Sequence, residues 1–500
     1  MPVSTFVLAA LAMLPMSTSA ADPFLTPQAP FITLDPGVPA GSAVTAIISS
    51  GEMYHEFLFE GLPDGIGLSP GTGGAGTVDV YVAHEQTSVP FFGTADFQDG
   101  SVSRLTLDTF TGAVLGADVA LPPDAGYLRL CSASMAGPAE GLTRFTFFAN
   151  EEANDIVPVP EGAPYGADPA VAPNRQAGYA VALDVGSGEF IQIEGMGRLN
   201  HENTVVIPGG WSRHALLTTD DTFSAPSAQL YLYLASQESH IWQDKGSLWA
   251  FRVTRTDEGP IDADDSFNGA NDYLDLQPGE SWQGQFIRVP KEIAKGQTGD
   301  APQAALEQWS NDNNVFQFIR LEDLAYDKND PRTVYIADTG STRVIPDPGT
   351  GRMTRGPGGT VGQADNGRIF KMVFNEANPR RVDSFSVFAD GDATTVPEFV
   401  PMRSPDNMGT SSNSLMVQED TSNAKIWRYD FSTTTWSVVA TVNDPSGESS
   451  GIVDGTDWFG PGSWVLDVQA HGTYVDQELA GDVVLKREAG QLMLMFVPGS

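Results

Sequence analysis

Short apolar segments that end in carboxylates recur along this chain, and they constrain its fold more than any other feature. The acidic ends lie at Glu151-Glu152, Asp220-Asp221, Asp338 and Glu419-Asp420. Turn signals rich in Gly, Pro and Asp separate these and other strand-like segments from about residue 44 to the C-terminus. Many short strands between frequent turns predict an all-β fold.

A loose internal repeat favours a β-propeller over a sandwich or a barrel. The pattern Gly-x-Leu/Ile-x-x-Phe/Tyr recurs near residues 246–251, 367–370 and 424–429, each time with an acidic strand end upstream. We interpret each unit as an inner strand, a carboxylate at the axis and an outer strand, which predicts about six blades. Long loop insertions are expected at residues 155–175, 256–272 and 346–366.

The N-terminus is typical of a secretory signal. Residues 6–14 are apolar and residues 17–21 are small, although no Lys or Arg precedes them. We therefore expect residues 1–21 to be removed and the mature protein to be secreted or periplasmic. Residues 22–500 should form a single propeller domain, in which only residues 302–309 indicate a helix.

The acidic composition limits the partners of this chain. Its formal net charge is -37, so it has no basic excess with which to bind nucleic acid or an anionic membrane surface. No segment after the signal is long and apolar enough to insert into a bilayer. Bound divalent cations would relieve the self-repulsion. The single cysteine, Cys131, cannot form an internal disulfide and is either buried or a metal ligand.

The strand-end carboxylates favour a metal site. Paired carboxylates repel unless a cation lies between them, and hard oxygen ligands suit calcium. Acidic residues also end strands because turns use Asp, but the recurrence favours metal. The candidate ligands obtained in this way are Glu151, Glu152, Asp220 and Glu419.

A cation and an anion lie two residues apart in the alternating segment 316–325. Because strand side chains alternate, Arg320 and Glu322 should point the same way. This arrangement suits an oxyanion beside a metal, and an ordinary cross-strand ion pair is the alternative.

Several motifs, taken together and in order, resemble those of the PhoX-type secreted alkaline phosphatase family. Asp64-Gly65 with His84-Glu85 resembles its early "PDG … NHE" pair. Later matches are Gly197-Arg198-Leu199-Asn200-His201-Glu202, Asp220-Asp221, Phe318 to Asp323, Pro405-Asp406-Asn407, Gln418-Glu419-Asp420, Glu448 to Gly451 and Leu466 to His471. The resemblance covers nearly the whole mature chain.

The resemblance implies a calcium-dependent β-propeller with a cluster of calcium and iron at the axis. Matched residue by residue, Glu202, Glu322 and Asp406 would be metal ligands, joined by Glu85 from the early motif. Arg320 would hold a substrate phosphate oxygen beside Glu322, since a guanidinium suits that geometry.

One departure from the family pattern concerns iron. The family places a cysteine directly before the paired acids, as "CEE", whereas Asn150 precedes Glu151-Glu152 here. Asparagine oxygen suits calcium better than iron, so calcium is expected and iron is in doubt.

Three functions remain open from the sequence. The first is a phosphohydrolase that acts on small phosphate esters, and we expect it to be a monomer. The second is a calcium-stabilised propeller without phosphatase activity that serves in binding. The third is a calcium-dependent lactonase or esterase, because Asp406-Asn407 is the kind of pair that other calcium propellers use.

Overall fold

The computed structural model describes residues 22–86, 93–97, 100–158, 174–222, 228–262, 269–299, 301–349 and 351–500. The predicted signal at residues 1–21 therefore lies outside the described residues. In the described part of the chain, no helix is long and apolar enough to cross a membrane.

The described residues form short strands and a few short helices. In the first third of the chain, the strands are β1 (Ile32–Leu34), β2 (Ala43–Ser49), β3 (Met53–Tyr54), β4 (Phe57–Leu58), β5 (Pro63–Pro70), β6 (Thr77–His84), β7 (Thr94–Asp96), β8 (Ser101–Asp108), β9 (Val114–Leu121), β10 (Leu130–Ala136), β11 (Thr146–Glu151), β12 (Ile156–Pro158) and β13 (Asn174–Gln176). They continue as β14 (Ala180–Asp184), β15 (Phe190–Gln192), β16 (His201–Ile207), β17 (His214–Asp220), β18 (Leu230–Ala235), β19 (Ser247–Thr256), β20 (Gly259–Pro260), β21 (Trp282–Arg288), β22 (Leu321–Asp327), β23 (Asp330–Asp338), β24 (Val344–Pro346) and β25 (Met353–Arg355). The last are β26 (Arg368–Asn375), β27 (Asn378–Asp390), β28 (Pro405–Thr410), β29 (Ser414–Glu419), β30 (Lys425–Asp430), β31 (Thr435–Val442), β32 (Glu448–Asp454), β33 (Ser463–Ala480) and β34 (Val483–Phe496).

The helices are α1 (Ser239–Trp242), α2 (Lys291–Ala294), α3 (Pro302–Asp312) and α4 (Thr456–Phe459). The helix predicted at residues 302–309 is confirmed as α3. The other three helices are single turns that the sequence pattern did not indicate.

Six antiparallel blades surround one axis. Among the described residues, blades I to VI in chain order are β5-β6-β8-β9, β10-β11-β14-β15, β16-β17-β18-β19, β22-β23-β26-β27, β28-β29-β30-β31 and β32-β33-β34-β2. Blades III and IV are joined at their outer edges by β21, which pairs with both β19 and β27. Each innermost strand contacts the innermost strand of the next blade, and β32 contacts β5, which closes the ring. The prediction of an all-β propeller with six blades is confirmed.

The N-terminal segment closes the propeller. Strand β2 pairs with β34 as the outer strand of blade VI, and β1 pairs with β31 at the edge of blade V. Ile47 and Ile48 of β2 are fully buried between blades VI and I. Pairing of the N-terminus with the last strand of the chain covers an edge that would otherwise be exposed.

A separate apolar cluster fills the space between each pair of neighbouring blades. Where a strand is regular, consecutive side chains enter different clusters, because strand side chains alternate between faces. Ile47 and Ile48 share one cluster because the register of β2 shifts between Ala46 and Ile48. Phe147 packs toward blade I and Phe148 packs toward blade III. Both faces of a blade are therefore buried, which explains why the strand sequences are nearly continuously apolar.

Two features of the predicted repeat need correction. The apolar segments that end in carboxylates are β11, β17, β23 and β29, which are the second strands of their blades and not the innermost ones. The alternating segment 316–325 is not one strand, because the chain bends at Ile319 and β22 begins only at Leu321. Where the structure describes them, the three predicted insertions include or border a short antiparallel strand pair. These pairs are β12 with β13, the end of β19 with β20, and β24 with β25.

Every innermost strand is interrupted by a bulge near its start. The pairing register with the second strand shifts between Pro63 and Ile66, Leu130 and Ala133, His201 and Thr204, Leu321 and Leu324, Pro405 and Met408, and Ser449 and Ile452. A bulge redirects the side chains of the residues that it leaves unpaired.

The bulges of blades VI and I approach so closely that glycine is needed. A Cβ atom on Gly451 would lie 2.3 Å from the backbone oxygen of Asp64. We expect Gly451→Ala to lower the free energy of unfolding by about 1–3 kcal/mol, because backbone must shift to admit the methyl group. Gly358→Ala is the matched control, since nothing lies within 4 Å of its Cβ position. Denaturant titration checks this, and equal stability of the two variants would contradict it.

Candidate metal centre at the propeller axis

The bulges present one side chain from each blade at the same end of the axis. These residues follow the last paired residue before each register shift, and we call them the first ring. In blade order, the first ring is Asp64, Cys131, Glu202, Glu322, Asp406 and Ser450. Five of the six carry a carboxylate or a thiol, and only blade VI contributes a neutral hydroxyl.

A second set of equivalent residues borders the first. In each blade, the last residue paired before the register shift has a partner on the second strand. The residue that directly follows this partner along the chain belongs to the second ring. Its members are Glu85, Glu152, Asp221, Thr339, Asp420 and Gln469. Four are carboxylates, whereas blades IV and VI contribute neutral side chains.

Members of the two rings form three linked groups that could hold metal ions. The groups are Asp64-Glu85-Cys131, Cys131-Glu152-Glu202 and Glu202-Glu322-Asp406, and the ligand atoms of each lie within 4.8 Å of one another. Cys131 and Glu202 are each shared by two groups, so the groups run from blade I to blade V. The structure thus brings together Glu85, Glu152, Glu202, Glu322 and Asp406 of the predicted ligands.

The electrostatics of the groups favour bound cations. Burial, followed by the charge of Glu85, raises the pKa of Asp64 to about 7. Burial and neighbouring carboxylates also raise the pKa values of Glu152, Glu202, Glu322 and Asp406 well above their ordinary range. The buried Oε1 atom of Glu202 has no hydrogen-bond partner among the described residues. Because uncompensated buried carboxylates repel, these residues fit metal ions.

The thiol in these groups belongs to Cys131, which does not occupy the position of the family cysteine directly before the paired acids. Cys131 lies on the innermost strand of blade II, and its Sγ donates a hydrogen bond to Oδ2 of Asp64 at 3.2 Å. Burial and four surrounding carboxylates raise its pKa well above the ordinary value. A thiol in this environment becomes a thiolate when a metal binds it.

The side chain of Asn150 is fully buried, and both ends of its amide are hydrogen-bonded. Its Nδ2 donates to the backbone oxygen of Ser132 at 3.0 Å, and its Oδ1 accepts a hydrogen bond from Oγ1 of Thr204 at 2.8 Å. The amide of Asn150 therefore joins β11 to the innermost strand of its own blade through Nδ2 and to blade III through Oδ1. The loss of a cysteine at this position does not remove sulfur from the centre.

Three predicted ligands lie outside the groups. Glu151 accepts hydrogen bonds from the backbone N–H groups of Leu128, Gly178 and Tyr179. Glu419 accepts from the backbone N–H groups of Arg403 and Lys425 and from Nε1 of Trp427. Asp220 accepts from Oγ1 of Thr222. In each acidic pair the first residue binds its own blade and the second reaches the axis, because consecutive strand side chains point in opposite directions.

Arg320 lies beside the third group despite the bend that precedes it. The carboxylate of Asp338 accepts hydrogen bonds from the backbone N–H groups of Ile319 and Arg320 and so fixes the bend. The guanidinium donates through Nε and Nη2 to both oxygens of Asp221, at 3.0 and 2.8 Å. Its Nη2 also lies 3.2 Å from Oε1 of Glu322. Arg320 and Glu322 thus meet as predicted, although Arg320 precedes β22 and the two residues do not belong to one regular strand.

Polar contacts between blades border the rings on one side along the axis. Asn203 donates to Asp323 across blades III and IV, and Nδ2 of Asn407 donates to Oγ of Ser132 at 3.0 Å. Beyond this layer lies an axial cavity of about 390 Å³, lined mainly by apolar and glycine residues of the innermost strands.

Comparisons with known proteins agree with this geometry. Residues 148–450 match the family described as "Alkaline phosphatase PhoX". The chain belongs to the PhoX alkaline phosphatase family. Among solved structures, the chain is similar to Pseudomonas fluorescens PhoX in complex with vanadate, a transition state analogue. The TM-score is 0.63 at 16% identity over 93% of this chain and 96% of that one.

A weaker likeness extends to other proteins of known structure. The soluble aldose sugar dehydrogenase of Escherichia coli, in its apo form, matches with a TM-score of 0.37 at 9% identity, over 91% of this chain and 99% of that one. A search of curated proteins gives no match.

The histidines of two ligand motifs are structural in character. His84 is fully buried, with Nε2 2.8 Å from Oγ of Ser103. His201 is fully buried, with Nδ1 2.8 Å from Oγ1 of Thr218. Burial lowers the pKa of His84 to about 4 and that of His201 to about 3.

The raised carboxylate pKa values predict an unusual dependence of stability on pH in the metal-free protein. Folding favours the protonated forms of Asp64 and Glu202, because their pKa values are raised in the folded chain. The folded chain therefore binds more protons than the unfolded chain, and the free energy of unfolding decreases as pH rises through about 7. His84 and His201 oppose this trend only below about pH 6.5, where the unfolded chain protonates them first.

The measurement is the Tm after exhaustive chelation, between about pH 6.5 and 8.5. We expect the Tm to fall as pH rises and to recover when metal is restored, because an ion that binds only the folded state stabilises it. A metal-free Tm that stays constant or rises over this range would contradict the assigned centre.

Proposed function

We propose that the chain is an exported, metal-dependent phosphatase that hydrolyses phosphate monoesters at the first ring. The observation that carries the proposal is the convergence of three potential metal groups from five blades beside Arg320. Membership of the alkaline phosphatase family supports the same reaction.

The donor chemistry suggests two classes of metal. Glu202, Glu322 and Asp406 offer only oxygen, which suits calcium. The groups that contain Cys131 add sulfur, which suits a softer ion such as iron. Ions held there would polarise the phosphate as Lewis acids.

The residues around the groups would bind and orient the substrate. Arg320 would contact a non-bridging phosphate oxygen, and the two bonds from Asp221 would fix the plane of its guanidinium. Because the carboxylates would otherwise repel a phosphate dianion, the metal charge is needed for binding as well as for the reaction. We expect a small phosphate ester as the substrate at this end of the axis, and the net negative charge of the chain disfavours nucleic acid.

The function is tested by turnover of p-nitrophenyl phosphate and of a simple lactone, with calcium and iron added separately and together. We expect phosphate-ester turnover that requires metal and no lactone turnover. Lactone turnover alone would favour the lactonase alternative. No turnover under any metal condition, in protein whose Tm responds to calcium, would indicate a calcium-stabilised binding protein.

The role of Arg320 gives a prediction for turnover. Arg320→Ala should lower kcat for p-nitrophenyl phosphate by about 10²–10³, the usual cost of one lost transition-state contact. It should also destabilise the protein, because Asp221 is only 1% exposed and would lose its partner.

Arg320→Lys separates the two effects. It keeps the charge beside Asp221, so the Tm should stay near the wild-type value, but it loses the forked geometry and should remain at least about tenfold slower. Wild-type turnover in the lysine variant would contradict a direct phosphate contact.

The sulfur donor gives a prediction for metal content. Cys131→Ser should retain calcium but lose most of the bound iron, together with any visible absorption from iron–thiolate charge transfer, because only the thiolate is a soft ligand. Ser134→Ala, further along the same strand, is the control. Elemental analysis and absorption spectra check this, and unchanged iron content in Cys131→Ser would contradict the assignment.

A further inference from the structure

The motif at residues 197–202 contains a buried arginine that the proposed reaction does not use. Arg198 is only 7% exposed. Its guanidinium donates to the backbone oxygens of Ala177 and Gly178, at 3.1 and 3.3 Å, and to Oη of Tyr179 at 2.8 Å. Its Cζ also lies 3.6 Å from the centre of the Tyr179 ring. Arg198 of blade III thus binds one short segment, residues 177–179, that leads into β14 of blade II.

A buried carboxylate holds the same segment through its other polar groups. Glu151 is fully buried and accepts hydrogen bonds from the backbone N–H groups of Gly178 and Tyr179, at 2.9 and 3.2 Å. The N–H of Glu151 donates to the backbone oxygen of Tyr179 at 2.9 Å. The peptide groups of residues 177–179 therefore connect a buried anion to a buried cation, and we call Glu151, residues 177–179 and Arg198 the clamp.

The clamp lies beside the group Cys131-Glu152-Glu202. Glu152 directly follows the anion of the clamp and forms a β-bridge with Asn200, two residues before Glu202. Gly178 is packed between these two parts of the chain. A Cβ atom at Gly178 would lie 2.3 Å from the backbone oxygen of Leu199 and 2.8 Å from that of Ala153. The clamp therefore joins blades II and III where each of them supplies a carboxylate to one group.

We propose that Arg198 is a positioning residue for this group, which holds Glu152 and Glu202 at the separation that a shared metal ion requires. The physical reason is that the two buried carboxylates, with ligand atoms within 4.8 Å of each other, repel and push blades II and III apart until a cation binds. The hydrogen bonds from Arg198 to residues 177–179 oppose this movement. The inference rests on the metal-dependent function proposed above, but it concerns metal affinity and not turnover.

The test uses cobalt(II) alone as the probe, because charge-transfer absorption from a cobalt-bound thiolate reports binding at Cys131. Metal-free wild type, Arg198→Met and Tyr179→Phe are titrated with cobalt(II) well below the Tm of each protein. Thermal unfolding of the same metal-free samples gives the Tm.

Arg368→Met is the matched control. Arg368 is 8% exposed, donates to the backbone oxygens of Tyr273 and Leu276, and lies with its Cζ 4.2 Å from the centre of the Tyr273 ring. It also forms an ion pair with Asp390. Its surroundings thus resemble those of Arg198, but it lies on β26 of blade IV and belongs to neither ring.

We expect Arg198→Met to weaken cobalt(II) binding by about tenfold or more, the usual effect of removing a partner that orients metal ligands. Tyr179→Phe removes one of the three hydrogen bonds and should weaken binding by about threefold. Arg368→Met should lower the Tm as Arg198→Met does, but it should bind cobalt(II) with wild-type affinity.

Each outcome decides the role of Arg198. Equal affinities in Arg198→Met and Arg368→Met would show that Arg198 only stabilises the fold, and the proposal would be wrong. If Arg198→Met does not fold, the affinity of Tyr179→Phe decides, and a wild-type value would contradict the proposal.

Two outcomes in wild type complete the test. A cobalt(II) complex without thiolate absorption would show that Cys131 binds no metal, and the proposal would be wrong. Metal-loaded wild type without phosphate-ester turnover would end the proposed phosphatase function, while the cobalt(II) affinities of the variants would still decide whether Arg198 positions the group.

Discussion

Repulsion among buried carboxylates at one end of the axis is the interaction on which the rest of the structure depends. Four blades direct a carboxylate from the first ring toward the same small space, and the pKa values of these groups are raised by burial and by one another. A fold that gathers such groups is stable only if cations or protons neutralise them. The need for neutralisation links the stability of the fold to the metal binding and phosphate recognition that we propose for this site.

The same local geometry, repeated in six blades, builds this site. A bulge directs one residue of each innermost strand into the first ring, and the alternation of the second strand supplies the second ring. The repeat then diverges in chemistry: blade II contributes sulfur through Cys131, and blades IV and VI lack a second-ring carboxylate. These differences between blades give groups with different ligand atoms, and the cation Arg320 lies beside Glu322 in one of the blades without a second-ring carboxylate.

The sequence predicted the fold class and much of the site, and the differences have physical causes. Apolar periodicity identified strands but not their order within a blade, because both faces of every blade are buried and inner and second strands look alike. Paired acids such as Glu151-Glu152 could not be separated by composition, since only the pairing register determines which one faces the axis. The sequence left Cys131 as either buried or a metal ligand, because its proximity to Asp64, Glu152 and Glu202 is revealed only by the tertiary structure. The meeting of Arg320 and Glu322 was predicted from strand alternation, but in the structure it depends on the bend that Asp338 holds and on the bulge at the start of β22.

The most direct test of the centre is anomalous diffraction from crystals of the metal-loaded protein, recorded on both sides of the iron absorption edge and at a wavelength sensitive to calcium. The account predicts an oxygen-bound ion about 2.3–2.6 Å from carboxylate atoms of Glu202, Glu322 and Asp406, and a separate iron signal beside Cys131. Metal signals confined to surface loops, with the first ring bridged only by protons or water, would contradict it.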